Sequence, residues 1–144
     1  MDRYEELEKT FKVNTIGPVY ICSRFFDLLA ESGGGTVINI SSEVVSIDGV
    51  GPKYAAYCMS KTAIAQYGFI LKQTAAALGI PTRVFSVHPG RMKTAMGAEN
   101  GQIEAAESAE GIYRLAVGEV LADNREIYVD YRGNAMLHQT GRKE

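Results

Sequence analysis

Cysteine, histidine and blocks of like charge are all scarce in this sequence. The two cysteines, Cys22 and Cys58, have no paired spacing, and both sit in segments of helical pattern. They are expected to be reduced thiols, as in a cytoplasmic protein, and not a disulfide framework. The two histidines, His88 and His138, are far apart, with no Cys or carboxylate at ligand spacing, so no metal site is expected. A formal charge of −2 without a basic block gives no electrostatic footprint for nucleic acid or an anionic membrane; the pair Arg142-Lys143 is read as a solvated tail. No apolar run approaches a membrane span, and the opening MDRYEELEKT is too polar for a secretory signal.

What is present suits one α/β domain. Hydrophobic residues make up 46% and charged residues 22%, the balance of a globular chain with a core, and 144 residues suffice for one such core. Apolar residues from Tyr4 to Leu29 recur at helical spacing. ESGGG then stops that helix, and TVINIS follows as a short buried strand. The glycines thus come after a helix and before a strand. A dinucleotide-binding turn has the opposite order, because its amides must open a helix. A loop over 43–53 leads to an alanine-rich helix from Tyr54 to Leu78, ended by Gly79 and Pro81. TRVFSVH reads as the second strand, a helix is expected over about 108–121 with Ser108 as N-cap, and REIYVDY reads as the third strand. Helix and strand alternate three times, which predicts a short parallel sheet of about three strands flanked by helices.

Four local features stand out. In YCMSK, Tyr57 and Lys61 are four residues apart on one helical face; a fixed cation beside a phenol favours phenolate, which suits a general acid for a carbonyl oxygen. Alone, the pair reads more readily as an ordinary Tyr and Lys on a surface helix. Ser42 is read as the end of the first strand, at the sheet edge where open α/β folds bind ligands. Asn14 lies inside the first helix, four residues before Pro18, which has no N–H; the Asn14 carbonyl is therefore expected to lose its helical partner, at a kink. In HPGRMKT, Pro89-Gly90 turns the chain at the same sheet edge, with the Thr94 hydroxyl shortly after.

Taken together, VNTIG, INISS, YCMSK and HPGRMKT, in this order, resemble the short-chain dehydrogenase/reductase family, in particular its carbonyl-reductase-like members, over about residues 4 to 131. The resemblance implies a Rossmann-type fold and an NAD- or NADP-dependent oxidoreductase acting on a small carbonyl or alcohol. Tyr57 would donate the proton, Lys61 would assist it and hold the nicotinamide ribose, and Ser42 (or Ser41) would orient the carbonyl. Asn14 would hold a water through its backbone carbonyl. Pro89, Gly90 and Thr94 would line the nicotinamide. The first strand, its glycine turn and the NAD/NADP selector, which the family places before the Asn14 helix, have no counterpart here. Residues 1–144 are thus expected to be a single domain matching the C-terminal half of such a fold, inactive or nearly so alone. The alternative is a non-enzymatic interaction module that keeps the fold. In either case a homo-oligomer through the two long helices is expected.

Overall fold

The computed structural model describes residues 3–45, 54–95, 100–120, 122 and 127–136. A helical run opens the chain: α1 (Tyr4–Phe11), a π-turn (Lys12–Ile16) and α2 (Gly17–Glu31). Strand β1 (Gly35–Ile40), a 3₁₀ turn (Glu43–Val45), helix α3 (Ala55–Ala77), strand β2 (Thr82–His88), helix α4 (Ala105–Val117) and strand β3 (Tyr128–Asp130) follow. The three strands are parallel in the order β1-β2-β3. Helix α3 connects the first pair and α4 the second, so the expected alternation is what forms. Strand β2 lies in the middle and is buried over Val84–Val87, which is why its sequence is a nearly continuous apolar run.

The two faces of the sheet carry different loads. Phe85, Val87, Leu115, Val129 and Tyr131 form the core between the sheet and α4. Val45, Ala65 and Tyr128 pack on the other face. Helix α3 buries Ala56, Cys58, Ser60, Ile64, Ala65, Gly68, Leu71 and Ala75. Most of these are small, so the helix backbone lies close to the strands. Helices α1 and α2 bury no residue, and Tyr20, Ile21, Phe25 and Leu28 stay more than half exposed.

Three expectations need correction. The first helix does not simply kink at Pro18. It widens by a π-turn whose closing amide, Gly17 N–H, bonds back to the Lys12 carbonyl, so the run passes the missing proline donor and continues. The third long helix starts at Ala105 with extended Glu104 as its N-cap, and Ser108 lies inside the first turn, buried, its hydroxyl donating to the Pro89 carbonyl at 2.6 Å. That helix ends at Gly118, whose φ of +83° provides the left-handed cap, while Leu121 lies outside the described residues. Finally, β1 ends at Ile40. Ser41 still bonds the Val87 carbonyl through its amide at 2.8 Å, and Ser42 stands in the turn beyond. Of REIYVDY, Tyr128–Asp130 is strand, and Arg125 and Glu126 lie outside the described residues. So do 46–53 of the expected loop, and His138 and Arg142-Lys143.

Gly111 offers a test of this packing. In an exposed helix Gly→Ala gains about 1 kcal/mol, but a Cβ at Gly111 would sit 2.4 Å from the Tyr131 backbone oxygen. Gly111→Ala is expected to lose about 1–3 kcal/mol in denaturant unfolding; a gain would contradict the close seating of α4.

Candidate active site

The carboxyl ends of β1 and β2 open into a cavity of about 390 Å³. Ser41 and Ser42 line it from the turn after β1, Tyr57 from the first turn of α3, and Pro89, Gly90 and Thr94 from the segment after β2. Glu43, His88, Arg91, Met92 and Asn100 complete the described lining. Five of the residues singled out in the sequence thus converge: Ser42, Tyr57, Pro89, Gly90 and Thr94. Lys61 and Asn14 stand behind this lining.

Lys61 lies one helical turn from Tyr57, its ammonium 5.8 Å from the centre of the tyrosine ring. The ammonium donates to the Ile40 carbonyl at 2.8 Å. Burial pushes its pKa below the usual lysine range. The Ser41 hydroxyl donates to the Lys61 backbone carbonyl at 3.4 Å, a long bond. The Ser42 hydroxyl accepts from the Val44 amide at 3.5 Å, which leaves its own hydrogen uncommitted by that bond.

Asn14 acts at one remove. Its side-chain amide donates to the Ser60 hydroxyl at 3.1 Å, and that hydroxyl donates to the Tyr57 carbonyl at 2.8 Å. Thr15, beside it on the π-turn, donates to the Ser60 carbonyl at 3.0 Å. The widened turn therefore grips α3 between Tyr57 and Lys61.

Several contributors had not been singled out from the sequence. The Tyr128 hydroxyl, at the start of β3, donates to the Ser42 carbonyl at 2.7 Å. Burial, followed by the nearby Glu43 charge, raises its pKa to about 12, so it remains a donor across the working range. His88 Nδ1 accepts from the Glu43 amide at 3.2 Å. Arg91 and Glu43 form a two-point ion pair across the mouth, at 2.7 and 3.1 Å. Ser60 sits inside YCMSK itself, three residues after Tyr57, and could have been found there. Nothing local marks Tyr128, which lies 86 residues from Ser42.

Comparisons with known proteins identify the family and the fold. The family model for short chain dehydrogenases matches residues 2–105, and this chain belongs to that family. A short-chain type dehydrogenase/reductase of Picea abies is 34% identical over 122 residues, covering 82% of this chain and 43% of that protein. The C-signal of Myxococcus xanthus is 26% identical over 132 residues, covering 90% of this chain and 77% of that protein. Among solved structures, the NADPH-bound carbonyl reductase from chicken fatty liver has a TM-score of 0.79 at 22% identity. The carbonyl reductase Sniffer of D. melanogaster has the same score at 24%. Each covers 94% of this chain, which spans 58% of theirs. At such identities the likeness establishes a Rossmann-type α/β fold. Among the described residues no helix is long and apolar enough to cross a membrane.

His88 gives the site a pH signature. Burial is the largest influence and lowers its pKa below the usual 6.5; Glu43 and Asp130 oppose it and Arg91 adds to it. The unfolded chain therefore takes up the His88 proton first as pH falls. The associated stability is present above the unfolded value and is lost as pH drops from there through the folded pKa. The expected outcome is a fall in unfolding free energy between about pH 7 and pH 5 that shrinks in His88→Asn, which keeps an acceptor but cannot titrate. Equal falls in both proteins would remove His88 as the cause.

Proposed function

We propose that this chain carries the carbonyl-side chemistry of an NAD- or NADP-dependent oxidoreductase acting on a small carbonyl or alcohol. The observation that carries the reading is the meeting of Ser42, Tyr57 and the Pro89–Thr94 segment on one cavity at the carboxyl edge of a parallel sheet, where open α/β folds bind ligands. When bound, the nicotinamide cofactor supplies or accepts hydride. Tyr57 gives the carbonyl oxygen its proton in reduction and takes it back in oxidation. Ser42 donates the hydrogen that Val44 does not use and so orients that oxygen; Ser41 is the poorer candidate, since its hydroxyl points to the Lys61 carbonyl.

Lys61 fits the cofactor-holding role. It uses one of its three N–H groups on Ile40, which leaves donors for ribose hydroxyls. Thr94, Pro89 and Gly90 would face the nicotinamide, and the Asn14 carbonyl would hold the water that replenishes Lys61. Among the described residues no glycine turn follows a strand and opens a helix. The described residues thus offer the adenosine end no such grip, and the 144 residues alone are expected to turn over little or no substrate.

Fluorescence titration with NADH and NADPH tests this expectation. No saturable binding below millimolar cofactor is the expected result; micromolar binding would overturn the inactivity while leaving the site reading intact. The site itself is tested by residual ketone reduction at millimolar NADPH or NADH, which should fall at least about 100-fold in Tyr57→Phe. Equal rates in the two proteins would sink the role given to Tyr57.

A second reading, an interaction module using the same fold, is favoured by the exposed apolar side chains Tyr20, Ile21, Phe25 and Leu28 on a helix with no buried residue. In this reading the α1–α2 run and α3 form a homo-oligomeric contact. Gel filtration at micromolar concentration is then expected to show a species above 15.7 kDa; a clean monomer at all concentrations excludes it.

A further inference from the structure

Glu43 and Arg91 carry the only formal charges among the described cavity-lining residues, and each is already matched by the other. We infer that this pair sets the ligand's charge: the cavity takes an uncharged carbonyl compound and discriminates against one that carries a carboxylate. The inference rests on the carbonyl reading of the cavity and narrows it.

The geometry is specific. Arg91 presents Nε and one terminal nitrogen to the two Glu43 oxygens at 2.7 and 3.1 Å. This two-point fork is the arrangement with which a guanidinium recognises a carboxylate. A carboxylate-bearing ligand would have to displace Glu43 from that fork, and the displaced carboxylate would remain beside it as a like charge. A ligand ammonium meets the converse obstacle, because Glu43 is committed and Arg91 repels it. An uncharged ligand displaces nothing.

Both partners have fixed backbones, so the pair needs little ordering of the loops that bear it. The Glu43 amide is tied to His88 Nδ1. The Arg91 carbonyl accepts from the Gln102 amide at 2.7 Å, and the next residues continue this pairing through Lys93 N–H to the Ile103 carbonyl at 2.9 Å. Lys93 is itself matched by Glu104 at 2.7 Å, so it is no spare cation for an incoming anion. The Glu43 and Arg91 side chains are 38% and 49% exposed; such pairs add little net stability, and removing one partner should leave the fold intact.

The test compares two ketones that differ by one group, acetophenone and 4-acetylbenzoate. Their binding to the full 144-residue chain is measured at low salt by ligand-observed NMR, with Tyr57→Phe and thermal unfolding as controls. The wild-type protein should bind acetophenone at least about fivefold more tightly than 4-acetylbenzoate. Glu43→Gln should reduce or reverse that ratio by about fivefold, the scale of an exposed ion pair. Arg91→Gln should give the carboxylate no such gain, and about 0.5 M salt should compress the differences. If acetophenone binds but Glu43→Gln leaves the ratio as in wild type, the charge inference is overturned and the carbonyl site stands. If neither ketone binds any variant, or acetophenone binding ignores Tyr57→Phe, the carbonyl reading fails and takes the inference with it.

Discussion

The site depends first on how α3 seats on β1. Lys61 and the end of β1 hold each other from both sides: the ammonium bonds the Ile40 carbonyl, and Ser41 returns a long hydrogen bond to the Lys61 backbone. The seating is possible because α3 turns small residues such as Ala56, Ser60, Ala65 and Gly68 toward its neighbours. A Cβ at Gly68 would come within 2.7 Å of the Ser86 hydroxyl on the central strand. Tyr57 therefore reaches the cavity from a backbone held on several sides, with the Asn14–Ser60 contact on the face turned toward the π-turn. A substitution that lifts α3 would disperse the site even with every lining side chain unchanged.

Much of this was legible in the sequence, because the signals were local. Period-3.6 apolar spacing and glycine stops gave the helices, and the β-branched runs gave β1 and β2. The edge at which Ser42, Tyr57 and Pro89–Gly90 meet follows from parallel topology alone. The errors came where two local rules competed. Pro18 denies a donor to the preceding turn, and a kink and a π-turn both answer that; the choice made here goes with the tertiary contacts of Asn14 and Thr15 to Ser60. Ser108 has the chemistry of a cap, but its hydroxyl serves the Pro89 carbonyl, and Glu104 supplies the extended cap backbone. Tyr128 and the Glu43–Arg91 pair were not legible, since they join segments 86 and 48 residues apart.

Polar groups in the packed layer also show how tightly the strands are matched. Asn39 and Ser86 are register partners on β1 and β2, both buried, under Gly68 of α3. The Asn39 side-chain nitrogen and the Ser86 hydroxyl have no protein partner, an arrangement that costs stability unless a water completes it. The apolar contacts of Phe85, Val87, Leu115 and Val129 on the opposite face offset such a cost. The division of labour is thus between a dry α4 face that stabilises and an α3 face that positions.

Strand β3 pairs through three residues only, yet its first residue holds the Ser42 carbonyl. Order in the serine turn is therefore borrowed from a short ladder at the far end of the described chain. When that ladder frays, the turn loses its anchor, so the free energy of opening β3 sets an upper limit on hydrogen-exchange protection that depends on it. During synthesis the same dependence means that Ser42 leaves the ribosome well before the tyrosine that holds its carbonyl. A nascent chain ending before β3 would hold Ser42 and Tyr57 without the anchor that Tyr128 gives the serine turn.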